Sequence, residues 1–177
     1  MLKPSCWSTA GYQFWPMTIK EYNSCVDQHA DGVYRFILKN IKDEDKAQDV
    51  VQDVFTKMWE KVGDITYSKS KSYLFSAAYH TMIDYIRRDK RQVQMEEHHL
   101  NSTYEPTHYT GAKRVIQEAL DRLPEAQRSV VMLRDYEGYS YQEIGEITGL
   151  SEAQVKVYIY RARLSLKNYL VKLENVI

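Results

Sequence analysis

The sequence predicts an all-α protein of two small helical domains joined by a flexible linker, the C-terminal one containing a helix-turn-helix. Three observations carry that prediction. Apolar residues recur at three- and four-residue spacing through most of the chain, the period of a helix with one buried face. The segment from Gln92 to Gly111 interrupts this with Asn101, Ser102, Pro106 and Gly111 and almost no apolar content, the composition of a linker. Beyond it, Ser140 with Glu143 and Ser151 with Gln154 each have the Ser-x-x-Glu/Gln spacing of a capping box, so two helix starts stand either side of Gly149. The expected divisions are a leader over 1–16, a first domain over 17–92, a linker over 93–111 and a second domain over 112–177.

Met1 to Pro16 mix Trp7, Trp15, Pro4, Pro16 and Gly11 with no helical or strand period and read as poorly ordered. Thr18 and Glu21 then have capping-box spacing directly after Met17, which makes Met17 a candidate initiator. The first helix directs Tyr22, Val26, Val33, Tyr34, Ile37 and Ile41 toward a core, with Gly32 as a soft point. Asp43 precedes a second helix whose stripe is Ala47, Val51, Val54, Phe55, Met58 and Val62; Asp45, Asp49, Gln52, Asp53 and Glu60 fall away from it, and Gly63 ends it. Composition alone reads that acidic face as solvated. A polar loop carrying Tyr67, Lys69, Lys71 and Tyr73 leads to a third helix, roughly Ser72 to Arg91, with Leu74, Ala77, Ala78, Thr81 and Ile86 as its core stripe. Tyr73, Phe75, Tyr79 and Tyr85 offer rings on which unstacked bases can stack, and Arg87, Arg88, Lys90 and Arg91 can bind phosphates. The competing reading is that these aromatics simply pack.

In the second domain a short helix from Ala112 to Arg122 stops before Pro124, another runs from Glu125 to about Tyr136, and Gly138 releases the chain into the helix-turn-helix. Gly149 supplies the left-handed residue that ends the first helix of that pair. From Ser151 onward Val155, Ile159, Ala162 and Leu166 form the buried stripe, leaving Gln154, Lys156, Val157, Tyr160 and Arg161 on or beside the opposite face. Polar and basic groups near a helix start, presented by a short-turn helix pair, suit a DNA major groove. Leu166, Leu170 and Leu173 are expected to pack the rear of this long helix back onto the domain.

The chain has 24 basic and 24 acidic residues, which excludes a non-specific polycationic DNA coat and confines nucleic-acid contact to local patches. Cys6 and Cys25 match neither a zinc pair nor a redox pair, and a reduced cytoplasm follows as the expected compartment. No apolar run approaches the ~20 residues of a membrane helix, so no membrane insertion is expected. His98, His99 and His108 lack helical spacing and cysteine partners, and no metal or cofactor is expected. No small-molecule substrate is expected either.

Four segments, in order, resemble the extracytoplasmic-function group of the sigma-70 family of bacterial RNA polymerase sigma factors. They are DEDKAQDVVQDVFTKMWEK, YLFSAAYHTMIDYIRRDKR, ALDRLPEAQRSVVMLRDYEGYSYQEIGEITGLSEAQVK and the RAR at Arg161 to Arg163, and the likeness covers Thr18 to Leu173. The resemblance implies a non-catalytic protein that binds core RNA polymerase and promoter DNA and is held by an anti-sigma factor. It turns the acidic second helix into a polymerase dock through Asp49, Gln52 and Asp53. It assigns the minus-ten element, which must be bound and melted, to Tyr67, Lys71, Tyr73, Tyr79, His80, Arg87, Arg88 and Arg91. The minus-thirty-five element falls to Ser151, Gln154, Lys156, Val157, Tyr158, Tyr160 and Arg161. His80 stands where family members often have Asn, and Val157 with Tyr158 where they often have a Ser-Arg pair, so promoter preference does not carry across. Two rivals are a helix-turn-helix regulator that acts without being a polymerase subunit, and a metal-dependent nuclease using acids such as Asp49 and Asp53. The first needs neither the acidic dock nor the aromatic-basic third helix; the second lacks a convincing His, Asp and Glu cluster.

Overall fold

The computed structural model describes residues 16–95 and 112–174, and all its regular elements there are helical. They are α1 (Ile19–Ile41), α2 (Glu44–Glu60), two single 3-10 turns (Val62–Asp64 and Tyr67–Lys69), α3 (Ser70–Met95), α4 (Ala112–Asp121), α5 (Glu125–Asp135), α6 (Tyr141–Thr148) and α7 (Glu152–Glu174). The leader expected before residue 16 and the linker expected from 96 to 111 lie outside the described residues; α3 itself continues past the boundary expected at 92.

Helix starts fall where short-range chemistry places them. Thr18 accepts from the Glu21 amide at 3.3 Å while the Glu21 carboxylate accepts from the Thr18 amide at 2.8 Å, closing the first box. Asp43 caps α2 by accepting from the Lys46 amide at 3.0 Å. α1 ends on Lys42 in the left-handed region (φ 62°), its amide donating back to the Leu38 carbonyl at 2.8 Å.

The buried faces are rotated slightly from those expected. Cys25, Phe36 and Asn40 join Val33 and Ile37 inside α1, and Val50 rather than Val51 is buried in α2. In α3 the buried residues include Ser70, Leu74, Phe75, Ala78, Tyr79 and Met82, while Ala77, Thr81 and Ile86 are half-buried. The first three helices pack on one another, and α5, α6 and α7 form the second bundle with α4 against α7.

The two bundles share one core. Val130, Met132, Leu133, Tyr139, Ile144, Ile147, Val155 and Ile159 belong to the same buried cluster as Phe36, Phe75 and Met82, with α6 lying along α3 and α5 against α1. Phe75 links them through edge-to-face contacts with Phe36 at 5.7 Å and Tyr139 at 5.6 Å, pairs worth ~0.5–1.5 kcal/mol beyond their burial. A smaller cluster of Leu120, Leu123, Val131 and Ala162, with Leu166 against it, closes the far side.

The polar part of the seam is built around Arg128, only 6 % exposed. Its Nη1 donates to the Lys39 and Asn40 carbonyls at 3.1 and 3.4 Å, its Nε to Leu120 at 3.0 Å, and its Nη2 to Asp121 and Leu123 at 3.2 and 3.0 Å. One guanidinium thus serves carbonyls at the C-terminal ends of both α1 and α4, where helix dipoles favour a cation. Burial lowers its pKa, with Asp121 and Glu125 acting against that. Ser129 donates to Asn40 Oδ1 at 3.0 Å, and Lys42 pairs with Asp121 at 3.4 Å.

Candidate nucleic-acid interface

The helix-turn-helix is assembled by two local devices and one close approach. Ser140 accepts from the Glu143 amide at 3.2 Å while the Glu143 carboxylate accepts from the Ser140 amide at 2.7 Å. The Ser140 hydroxyl beside the Glu143 carboxylate, and then the Ser140 amide donating to it, hold that carboxyl below its usual range. α6 stops at Gly149 (φ 74°), whose amide donates to the Gly145 carbonyl at 2.8 Å. Gly145 is a requirement the sequence reading missed: a Cβ there would stand 2.8 Å from the Leu150 carbonyl oxygen, so a side chain would push the turn away from α6.

α7 starts at a second box. Ser151 accepts from the Gln154 amide at 3.3 Å, and Gln154 Oε1 accepts from both the Ser151 amide and its hydroxyl at 2.9 Å. Ser151, Gln154, Lys156, Val157, Tyr160 and Arg161 are exposed, and Val155, Ile159 and Ala162 are buried behind them, as the period requires. Tyr158 differs. It is half-buried against the shared core, on the side facing the first bundle rather than the open face. Lys156 is steered by Glu152 at 2.6 Å and lies 5.7 Å from the Tyr141 ring, whose centroid is also 4.7 Å from the Arg134 guanidinium. Arg163 pairs with Asp135 on α5, its Nε donating at 3.2 Å, which anchors α7; Arg161 and Lys167 make no such pair among the described residues. Because Gln154 closes the cap with its oxygen, Ser151→Ala is expected to cost ~1 kcal/mol of stability and weaken duplex binding without altering sequence preference. Gln154→Ala should add a relaxed preference at one base position, a change of ~1–3 kcal/mol in discrimination, read from binding to a library of duplexes. An unchanged preference profile would leave Gln154 a cap and nothing more.

On the first bundle the predicted residues divide into two groups. Tyr73, His80, Arg87 and Arg91 succeed one another at seven- and four-residue spacing and so share one face of α3, with Arg88 beside them. His80, Arg87, Arg88 and Arg91 are exposed and Tyr73 is half-buried, its hydroxyl donating to the Lys57 carbonyl at 3.3 Å. Tyr67, 37 % exposed, stands on the preceding turn with its hydroxyl 3.4 Å from Gln28 Oε1. Tyr79 adjoins that face, its ring edge-on to His80 at 5.4 Å, but it is only 8 % exposed and burial raises its pKa; in this arrangement its ring packs. Lys71 is half-buried at the seam, 3.3 Å from Glu137. A cleft of about 500 Å³ separates Tyr73, Ser76 and the preceding turns from Glu143, Glu146 and Ile147 of α6.

Asp49, Gln52 and Asp53 are exposed together on α2, opposite Val50 and Val54. Trp59, 45 % exposed and edge-on to Tyr22 at 5.0 Å, is a further large side chain on the outside of that helix. Its sequence neighbours gave no warning, because a tryptophan beside Met58 reads as core. Among the described residues no group of His, Cys, Asp and Glu could hold a metal, and His98, His99 and His108 lie outside them.

Two family models match the chain: sigma-70 region 2 over residues 25–92 and sigma-70 region 4 over residues 113–166. The ECF RNA polymerase sigma factor SigM of Bacillus subtilis (strain 168) is 31 % identical over 156 residues, which cover 85 % of this chain and 94 % of that protein. The chain belongs to the extracytoplasmic-function sigma factors of the sigma-70 family. The RNA polymerase sigma factor SigV of the same organism is 30 % identical over 152 residues, covering 84 % of this chain and 90 % of SigV. Among solved structures, the sigma factor RpoE in complex with the anti-sigma factor NepR from Bartonella quintana is 25 % identical with a TM-score of 0.75, over 86 % of this chain and 98 % of that one. α1–α3 therefore make up most of region 2 of this sigma factor and α4–α7 region 4, the helix-turn-helix. As a sigma factor it directs promoter-specific transcription. No helix among the described residues is long and apolar enough to cross a membrane.

Proposed function

We propose that this sigma factor, acting in the cytoplasm and without catalysis of its own, docks on core RNA polymerase through α2 and divides promoter recognition between its two regions. The observation that carries this reading is the pairing, in one chain, of an exposed basic face on α3 with a doubly capped helix-turn-helix whose α7 presents polar and basic side chains. Asp49, Gln52 and Asp53 form the dock, with Trp59 as an aromatic anchor of the kind that dominates interfaces. Tyr67, Tyr73 and His80 offer stacking surfaces to an extruded minus-ten base, with Lys71, Arg87, Arg88 and Arg91 as phosphate ligands and the packed Tyr79 ring bracing His80. Ser151, Gln154, Lys156, Val157, Tyr160 and Arg161 face the major groove of the minus-thirty-five element, Val157 suiting a thymine methyl, while Tyr158 supports α7 from the core side. The divisions are 17–92 and 112–177, joined through 93–111. Opening DNA costs ~1.4 kcal/mol per stacking step, so melting draws on both regions and the polymerase together, and the chain alone does not melt promoters. The complex of the similar RpoE with NepR supports an anti-sigma factor as the inhibitor of this chain.

Run-off transcription with core polymerase on a promoter library tests the reading; absence of any promoter-specific product would overturn it. The division of labour makes a sharper prediction. Arg161→Ala should weaken binding to all duplex sequences and reduce the salt slope by about one unit, with Lys156→Ala doing less because Glu152 already neutralises it in part. Arg88→Ala should leave duplex capture by α7 intact and lower permanganate reactivity of minus-ten thymines. An Arg88 variant that opens promoters normally but loses upstream binding would reverse the assignment.

A further inference from the structure

A cavity of about 190 Å³ opens where α1 meets α4 and α5, and none of the roles above uses the side chains that build it. Its floor is apolar, made by the buried Phe36, Leu120 and Met132. Its rim is not. Arg35 and Lys39 stand one turn apart on α1, at the four-residue spacing that puts two side chains on one face, and Tyr136 at the end of α5 is 62 % exposed on the same rim. Among the described residues the one acid that lines the cavity is Glu137, and its charge is met from elsewhere: Oε2 lies 3.3 Å from the Lys71 ammonium. Arg35 pairs with the exposed Asp31 through Nη1 at 2.9 Å, which leaves Nε and Nη2 as donors for a further acceptor. Burial lowers the Lys39 pKa, with Asp121 acting against it, so an anion drawn to the rim meets an ammonium already partly stripped of water. Gly32, unfavourable inside a helix, also borders the cavity and adds no side chain to fill it.

We propose that this cavity is a binding site for a small monocyclic aromatic carboxylate, its ring seated on Phe36, Leu120 and Met132 and its carboxylate held by Arg35 and Lys39. Size limits the ligand. An apolar cavity of ~150 Å³ accepts one benzene ring, so a single ring with its carboxylate fills this one and a fused ring system overfills it. The floor suits a ring in particular, because the Met132 thioether and the Phe36 ring both make favourable contacts with aromatic groups. The rim selects the charge: a guanidinium donates two parallel bonds to a carboxylate, and an ammonium adds a point charge beside it. A cation is refused by the same pair, and a neutral ring gains the floor without the rim. The site needs neither DNA nor polymerase, so it stands apart from the promoter assignments.

The test titrates benzoate into the full chain, isotope-labelled at the methionine methyls, with the Met132 methyl as the NMR reporter inside the cavity. Benzyl alcohol, similar in shape but uncharged, and benzylamine, of opposite charge, are the comparison probes. Benzoate is expected to shift the Met132 resonance to saturation, to raise Tm, and to bind roughly tenfold more tightly than benzyl alcohol, with benzylamine weaker than either. Lys39→Met keeps an unbranched stem and removes the charge; it and Arg35→Gln should each weaken benzoate about tenfold and leave benzyl alcohol unchanged. Leu120→Phe fills the floor and should abolish binding of both. Circular dichroism identifies a Leu120→Phe variant that fails to fold, in which case the two charge variants decide. A Met132 methyl that benzoate does not move, benzylamine binding as tightly as benzoate, or charge variants that bind benzoate as wild type does would each overturn the proposal.

Discussion

Replacing Gln52 and Asp53 together with alanine is expected to abolish capture of core RNA polymerase while leaving helicity unchanged. Both side chains are exposed on α2 and neither takes part in a side-chain hydrogen bond or ion pair among the described residues, so their removal leaves nothing unsatisfied inside the protein. The stripe that holds α2 in place, Ala47, Val50, Val54, Phe55 and Met58, is untouched. Two truncations at the centre of a protein interface, at ~1–2 kcal/mol each, lower affinity on the order of 100-fold. Pull-down of core polymerase without DNA reads this directly. A folded double variant that captures polymerase as well as wild type does would remove α2 from the interface, and Trp59→Ala would then have no reason to weaken capture either.

Arg128→Leu is expected to be strongly destabilising. It removes five hydrogen bonds to carbonyls at the ends of α1 and α4, in a position 6 % exposed, although the Leu120 and Asp121 carbonyls keep the Leu123 amide and the Lys42 ammonium as other donors. A buried acceptor left unpaired costs ~1–3 kcal/mol, and since some of these will recruit water the net loss should be ~3 kcal/mol. For a chain of 177 residues that is a fall of ~6–12 °C in Tm. Arg128→Lys should restore only part of it, because three donors on one ammonium cannot match the fork of a guanidinium. An Arg128→Leu variant with unchanged Tm would mean the carbonyls hydrate freely and the seam is held by its apolar core alone.

The sequence by itself determined the helices, their caps and the family. Thr18 with Glu21, Asp43 with Lys46, Ser140 with Glu143 and Ser151 with Gln154 are bonds across three residues, so each is legible as spacing, and Gly149 is legible because its positive φ has few other occupants. The exposed face of α7 and the acidic face of α2 followed from period alone, since each of these helices leaves one side open. α3 is different. It packs against α1 and α2 on one side and α6 on another, so a helical period identifies faces without saying which is left for a ligand, and Tyr79 went to the core while Tyr73 and His80 did not. Only the tertiary structure decided that Lys71 meets a residue 66 positions later, that Arg128 reaches a carbonyl 89 positions earlier, and that Gly32 makes room for Glu137. These partners are set by how helices dock, and docking is governed by the fit of whole surfaces, which no three- or four-residue spacing records.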